Sequence, residues 1–141
     1  MQRWSCPACG REFGKKRAHV CAPSVSVDGY FASRPPHERE IFEAVREHIE
    51  SLGPVIVEAV GVGIFFKTTR NIAELRPKSR WMDLSFGLNR RLQHQRISRT
   101  IPTNGPRTYH ALRITSPEDI DDDVRGWLTE AYFELSGEWH P

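Results

Sequence analysis

Three cysteines and one histidine lie within the first 21 residues, and their spacing restricts what this part of the chain can form. Cys6 and Cys9 are separated by two residues, and His19 and Cys21 follow after nine more. A Cys-x2-Cys turn places two sulfur atoms close together, and a tetrahedral zinc ion then needs two more sulfur or nitrogen ligands from a nearby turn. We therefore predict that residues 1–22 form a zinc knuckle with Cys6, Cys9, His19 and Cys21 as ligands.

Aromatic residues flank this cysteine pair, with Trp4 two positions before Cys6 and Phe13 four positions after Cys9. This arrangement is typical of the hairpin half of a small zinc finger, whose minimal core depends on the metal. The His-x-Cys end leaves no room for the long helix that a full finger places in the DNA major groove. A redox pair and a disulfide are the other interpretations. No βαβ pattern surrounds the pair, and three cysteines leave one over in a chain that shows no export signal.

The composition predicts one ordinary globular core with an appendage. The chain has 141 residues, of which 38% are apolar and 27% are charged. No apolar run approaches the roughly 20 residues needed to span a bilayer, and the N-terminus lacks the pattern of a signal peptide. We expect a cytoplasmic protein that does not enter a membrane.

The net charge of +2 conceals an alternation of basic and acidic segments. Residues 1–21 carry a net charge of +4, and residues 22–66 carry −4. Residues 67–113 contain eleven Lys and Arg against two acids, for +9, whereas residues 114–141 carry −7. This distribution predicts a positive face together with internal charge pairing.

The main domain is predicted to span residues 34–141, after a linker at 23–33 that is rich in Pro, Ser and Gly and has no sustained period. Val25, Val27, Tyr30 and Phe31 are the linker residues that can pack against the domain, and Tyr30 and Phe31 could equally be a staple for the helix that follows. The first helix should begin at Pro35 or Pro36, with Ser33 as its cap, and end at Gly53-Pro54. Its predicted buried residues, which follow helical spacing, are Ile41, Phe42, Val45, Ile49 and Leu52.

Five strands are predicted in the middle of the domain. They cover residues 55–60, 64–69, 72–76, 81–88 and 109–114, and a long polar loop occupies residues 89–106. Short connections favour an antiparallel meander. A last helix should follow the capping sequence Ser116-Pro117-Glu118-Asp119. Its apolar residues are Ile120, Val124, Trp127, Leu128, Ala131, Tyr132 and Leu135. The predicted fold class is therefore α+β, an α-β5-α domain with both helices on one face of the sheet.

Three stretches carry a resemblance to a known family. In their order, PPHEREIFEAVREHIESLGP, FFKTTRNIAELRPKSRWMDLSFGL and TSPEDIDDDVRGWLTEAY resemble the bacterial family described as domain of unknown function 5655. Its members often carry an N-terminal W-x-C-P-x-C-G-R-x-F…H-x-C unit like the one here. The resemblance covers nearly the whole chain. It implies an α+β domain, similar in outline to small iron-chaperone-like domains, and it brings no activity.

The basic segments favour a nucleic-acid or polyanion-binding module, with DNA or RNA as the partner. Trp81 would add a stacking surface if it faces solvent; otherwise it is a core residue and the arginines pair with the acidic helices. The predicted contact residues are Arg11, Lys15, Lys16, Arg17, Lys67, Arg70, Arg76, Lys78, Arg80, Arg90 and Arg91, with Arg96 and Arg99 in the same polar loop.

Two other functions stay open. An enzyme acting on a phosphorylated or carboxylated small molecule would use Arg76, Arg80 and Asp83 on a sheet face, with His110 as a base. No Gly-rich phosphate loop, Ser/His/Asp order or HExxH motif supports it, so a non-enzyme is preferred and no catalytic residue is assigned. The remaining alternative is an adaptor for protein partners, or a domain that binds a small ligand or handles metal.

Overall fold

The computed structural model describes residues 26–136, together with the backbone of two short strands near the N-terminus. These strands are β1 (Trp4–Ser5) and β2 (Glu12–Phe13), which pair antiparallel with Trp4 opposite Phe13. They flank the Cys6-x2-Cys9 segment in the sequence. The four predicted zinc ligands lie outside the described residues.

Residues 26–136 contain three helices, six strands and one 3₁₀ turn. The helices are α1 (Val27–Phe31), α2 (Pro36–Leu52) and α3 (Asp122–Ser136), and the 3₁₀ turn is Pro117–Asp119. The strands are β3 (Ile56–Val60), β4 (Gly63–Lys67), β5 (Asn71–Pro77), β6 (Met82–Leu88), β7 (Ile97–Pro102) and β8 (Thr108–Ile114). No helix in this part of the chain is long and apolar enough to cross a membrane.

The six strands form one antiparallel sheet in the order β3-β4-β5-β6-β8-β7. The α+β class is confirmed, and the first four strands form the predicted meander. Strand β7, at one edge of the sheet, lies inside the predicted loop at residues 89–106. It is an edge strand, largely exposed and ending in proline, so it lacks the alternation by which a half-buried strand is recognised.

Both long helices pack on the same face of this sheet, as predicted. Phe66 of β4 and Phe86 of β6 share a face, because each is the register partner of Ala73 on the strand between them. Phe42 of α2 stacks on Phe66 with ring centroids 5.8 Å apart, and Trp127 of α3 stacks on Phe86 at the same distance. The hydrophobic core therefore lies between the helices and this face.

Helix α2 buries the predicted stripe, with Ile41, Phe42, Val45 and Ile49 fully inaccessible to solvent. It starts at Pro36, within the predicted bounds, but Pro35 and not Ser33 occupies the cap position. A first-turn proline has no N–H that needs a capping side chain, so the helix begins at Pro36 without one.

The segment predicted as a linker contains α1. Ser26 caps this helix, since its Oγ accepts a hydrogen bond of 2.9 Å from the backbone N–H of Gly29. Tyr30 and Phe31 at its end are buried in the core cluster. The folded domain thus begins several residues before position 34.

Helix α3 begins later than the capping sequence predicted. Ser116 and Asp119 do form a reciprocal capping box, but it closes the 3₁₀ turn Pro117–Asp119. The helix itself starts at Asp122, and the side chain of Asp121 accepts a hydrogen bond from the N–H of Val124 at 3.1 Å. The predicted apolar face is buried from Val124 to Tyr132, and the side chain of Leu135 lies outside the described part.

Candidate functional site

The sheet has a second face on which no helix packs among the described residues. Side chains alternate along each strand, so the neighbours of the core row point to this second face. Register pairs connect Phe65 to Glu74, Glu74 to Ser85, and Ser85 to Ala111 across four strands. We call this surface the open face. Its exposure makes it the natural place to look for a binding site.

Three aromatic rings on the open face each lie next to a cation. The guanidinium carbon of Arg113 lies 4.2 Å from the ring centroid of Trp81. The guanidinium carbon of Arg107 lies 5.4 Å from the centroid of Tyr109, and Nζ of Lys67 lies 5.5 Å from that of Phe65. Such pairs combine a flat apolar surface with a positive charge.

A cleft of about 370 Å³ opens around the first of these pairs. Its lining residues come from three strands and the turn before β6: Lys78, Trp81, Asp83, Ser98, Arg99, Ala111 and Arg113. Asp83 and Arg113 are cross-strand partners, and the indole Nε1 of Trp81 donates to Oδ1 of Asp83 at 2.7 Å. We call this concavity the sheet cleft.

A β-bulge brings Arg99 to the sheet cleft. The register between β7 and β8 shifts between Ile97 and Arg99, so that Arg99 lies opposite Ala111. Ser98, the residue inside the shift, donates its hydroxyl to the carbonyl oxygen of Ala111 at 3.0 Å. The edge strand that the sequence did not predict therefore supplies one of the three cations of the cleft.

The sheet cleft has an excess of positive charge. Lys78, Arg99 and Arg113 line it, and none of them has a carboxylate within ion-pair distance in the described part of the chain. Asp83 is the acid among its lining residues, and one oxygen of that carboxylate already accepts from Trp81. The cleft is therefore suited to a ligand that carries negative charge and a flat ring.

The predicted basic residues do not share one surface. Arg11, Lys15, Lys16 and Arg17 lie outside the described residues. Lys67 and Arg76 are on the open face with acidic partners, Glu58 at 2.9 Å and Glu74 at 3.4 Å. Lys78 lines the sheet cleft, whereas Arg70 and Arg80 are exposed next to the ends of β5 and β6.

Internal pairing accounts for part of the polar loop. Arg90 makes a two-point contact with Glu130 of α3 at 2.8 and 3.0 Å, and Arg96 bonds Asp121 at 2.8 Å. Both contacts place these arginines beside the helix layer. Arg91 is exposed and has no ion pair among the described residues. The predicted pairing with the acidic helix is thus present for Arg90 and Arg96.

Sequence reasoning did not identify Arg113, Arg107 or Ser98. Arg113 is the exposed residue of a strand whose alternation was visible, so that pattern alone was enough to place it away from the core. The position of Arg107 follows only from the structure. Its Nη2 donates to the carbonyl oxygen of Gly87 at 2.8 Å, and a Cβ at position 87 would lie 2.5 Å from Nε of Arg107.

Trp81 lies outside the described core cluster, and Arg113 covers one side of its ring. Trp81 is half-buried and lines the sheet cleft. Arg76 and Asp83 are register partners on the open face, as the enzyme hypothesis required. His110 does not join them. It alternates to the opposite face of β8 and is completely buried, so it is not available as a base for a ligand in the cleft.

His110 instead serves the core. Its Nε2 accepts a hydrogen bond of 2.9 Å from the backbone N–H of Leu92, which lies in the loop between β6 and β7. Burial lowers the pKa of His110, and the positive charges of Arg90 and Arg91 act in the same direction, while the Phe86 carbonyl and Glu130 oppose it. The imidazole is therefore held in its neutral form.

The donor set near the N-terminus fits zinc by its chemistry. Three thiols and one imidazole are the ligand types of structural zinc sites, and β1 and β2 pair on either side of the first two cysteines in the sequence. In residues 26–136 no group of three or more His, Cys, Asp or Glu side chains is placed to hold a metal ion.

Comparison with known proteins gives one match. The sequence profile described as Domain of unknown function (DUF5655) matches residues 27–134, which begin at α1 and end within α3. Neither the curated proteins nor the solved structures contain a match. Because the profile spans the whole described domain, the chain belongs to the DUF5655 family.

Proposed function

We propose that the open face binds single-stranded nucleic acid, with the sheet cleft as its central contact. The observation that carries this proposal is the Trp81–Arg113 pair, 4.2 Å apart, between two further cations that have no acidic partner among the described residues. Single-strand binding surfaces combine stacking side chains with cations that follow the sugar-phosphate backbone. Both components are present here on a sheet face without a helix layer.

The arrangement assigns a different task to each side chain. Lys78 and Arg99 both line the cleft and neutralise phosphates. The planar Arg113 guanidinium, supported by Trp81, offers a surface on which a base can stack. Asp83 has one oxygen without a hydrogen-bond donor in the described structure, and this oxygen accepts an N–H of the base.

A single strand fits this surface better than a duplex does. A cleft of about 370 Å³ admits one unpaired base with its phosphate, and stacking requires a base that has left the helix. No described helix projects from the open face to enter a major groove. The tandem aromatic–cation pairs at Tyr109 and Phe65 extend the same surface along the sheet.

Removing the charges of Arg99 and Arg113 is expected to weaken single-strand binding by at least tenfold. The double variant Arg99→Gln/Arg113→Gln loses one phosphate contact, from Arg99, and one stacking contact, from Arg113, so its salt dependence should flatten by about 0.7 in the slope of log K against log salt. Fluorescence anisotropy with labelled single-stranded DNA, duplex DNA and RNA across a salt series measures both effects.

The matched control is Arg39→Gln/Arg46→Gln on α2. These arginines pair with acids on the helix layer, so their loss removes the same charge from the other side of the domain. If both double variants weaken binding equally, or if the salt slope of the first is unchanged, the open face is not the binding surface.

We also propose that Cys6, Cys9, His19 and Cys21 bind one zinc ion, which fixes a basic knuckle carrying Arg11, Lys15, Lys16 and Arg17. The donor chemistry and the spacing support this assignment. The knuckle would add cations to those of the open face and extend the contact with nucleic acid.

Either Cys6→Ser or Cys21→Ser is expected to remove stoichiometric zinc, because each takes one of the four ligands from a tetrahedral site. Elemental analysis of the purified full chain measures the metal. The main domain should keep its thermal transition, since the described core cluster is formed by residues that follow position 26. A full zinc equivalent in both variants would refute the ligand set.

A further inference from the structure

A second cavity lies beside the open face, at the end of the sheet next to α1. Its volume is about 320 Å³. Tyr30 and Arg34 line it from α1 and the following turn, and the turn between β3 and β4 contributes Gly61 and Val62. Residues 76–78 close it from the end of β5. The cavity thus joins the helix layer to the sheet, and we call it the Tyr30 cavity.

Tyr30 has a hydroxyl group with no hydrogen-bond partner among residues 26–136. The residue is only 8% exposed, and burying a hydroxyl without a partner is unfavourable, so a ligand that supplies an acceptor would be favoured. Its hydroxyl stays protonated at neutral pH, because burial raises the pKa of Tyr30, with Glu38 adding to the rise and Arg34 opposing it. Tyr30 therefore lines the cavity and carries a buried hydrogen-bond donor without an acceptor in the described part of the chain, which a ligand reaches by a small shift of the ring.

The charges around the cavity leave a positive excess. Arg34 is held by Glu38, a carboxylate that is 5% exposed, and its guanidinium carbon lies 5.4 Å from the Tyr30 ring centroid. Arg76 pairs with Glu74 at 3.4 Å. Lys78 has no acidic partner in the described part of the chain. Three cations thus converge against two acids, and one ammonium group is left for a ligand.

We propose that the Tyr30 cavity binds a phosphate monoester. The phosphate would accept the hydrogen bond of the Tyr30 hydroxyl and the charge of Lys78, with Arg76 and Arg34 contributing their remaining N–H groups. The esterified group would point outwards past the exposed Val62. This site goes beyond the proposed nucleic-acid surface, although Lys78 lines both concavities.

A phosphate monoester fits the wall better than a carboxylate does. It carries close to two negative charges near neutral pH and three terminal oxygens, whereas a carboxylate offers one charge and two oxygens. The cavity presents an ammonium, two guanidinium groups and a hydroxyl, which is more donor capacity than a carboxylate can use. Its entrance beside the open face also admits the terminal phosphate of a nucleic-acid strand.

The test titrates the full chain with thymidine 5′-monophosphate, thymidine, inorganic phosphate and succinate, and measures each Kd by calorimetry. We expect the monophosphate to bind and thymidine and succinate to bind at least tenfold more weakly. Tyr30→Phe should weaken monophosphate binding about tenfold while leaving the fold intact, since the lost hydroxyl has no partner in the described part of the chain. Val62→Glu, a second variant on an exposed turn, should weaken it by repulsion, and Val62→Gln is its neutral control.

The source of the phosphate is distinguished with 5′-phosphorylated and unphosphorylated oligothymidine. A gain from the 5′-phosphate that Tyr30→Phe removes supports a strand end as the ligand. Binding of inorganic phosphate or monophosphate alone supports a free metabolite. The proposal is overturned if no phosphate probe binds, if succinate binds as well as the monophosphate, or if Tyr30→Phe binds like the parent chain. Arg99→Gln/Arg113→Gln tests the sheet cleft separately, because neither arginine lines the Tyr30 cavity.

Discussion

Gly53→Ala is expected to lower the free energy of unfolding by about 3 kcal/mol. Gly53 ends α2 with a φ of 153°, a backbone conformation that side chains with a Cβ rarely adopt. A Cβ at this position would also overlap the hydroxyl oxygen of Tyr132. That hydroxyl donates to the carbonyl oxygen of Pro54 at 2.9 Å and joins α3 to the end of α2. Backbone strain and the displaced tyrosine add to one another.

The matched control is Gly126→Ala in α3. A Cβ at position 126 meets no atom within 4 Å, and alanine favours the helix, so this variant should gain up to about 1 kcal/mol. Urea denaturation followed by circular dichroism measures both changes. The double variant Gly53→Ala/Tyr132→Phe should lose less than the sum of the two single variants, since both act on one contact. A Gly53→Ala chain within 0.5 kcal/mol of the parent would show that the end of α2 relaxes freely.

Gly53 shows which features of a helix end can be predicted from the sequence and which cannot. Gly53-Pro54 marks the end of a helix by its residue types alone, and the structure ends α2 there. The second reason why alanine is unfavourable at this position lies 79 residues away, in Tyr132, whose place depends on the packing of α3 against α2. Local sequence patterns therefore predict where a helix ends. The tertiary contacts that stabilise that end involve residues distant in the sequence, so a local pattern does not reveal them.

The sheet shows the same limit. The five predicted strands lie within two residues of the bounds of β3, β4, β5, β6 and β8, because one side of each strand is buried and leaves a hydrophobic pattern. The edge strand Ile97–Pro102 buries little, and its only neighbour in the sheet is β8. Its pairing is set by a hairpin and a bulge that leave no hydrophobic signal.

The sheet cleft depends on β7, the strand that was not predicted. Trp81 and Lys78 were visible as a basic aromatic cluster in the sequence, but Arg113 is 32 positions further on and meets Trp81 only because β8 pairs with β6. Arg99 arrives through the edge strand. Conversely, Arg90 looked equivalent to these residues in composition, and the structure pairs it with Glu130. Counting charges in the sequence identifies a basic segment. Which of its cations have acidic partners depends on how the strands and helices pack.

His110→Leu is expected to lower the free energy of unfolding by about 2 kcal/mol at pH 8. The neutral imidazole accepts the N–H of Leu92 through Nε2, so leucine leaves that N–H without a partner inside the domain. The imidazole also stacks on Phe86 with ring centroids 5.5 Å apart. His110→Gln is the matched variant, because its amide oxygen can accept the same hydrogen bond and should recover part of the loss.

The pH dependence separates the charge of His110 from its packing. Burial lowers the pKa of His110 in the folded chain, so between that value and the ordinary value near 6.5 the unfolded chain binds more protons. The parent protein should therefore lose stability as the pH falls from 7 through this window, because a protonated Nε2 cannot accept from Leu92. His48 shifts in the same direction, again chiefly through burial, and keeps its share in every His110 variant.

The measurement is the free energy of unfolding at half-unit steps between pH 5 and pH 8 for the parent chain, His110→Leu and His48→Gln. The difference between the parent and His110→Leu cancels every other titrating group and should shrink as the pH falls, since the parent alone loses the contribution of His110. A constant difference across the range would mean that the pKa of His110 is the same in the folded and the unfolded chain. The buried imidazole would then be a packing element, and the Leu92 contact would not depend on its charge.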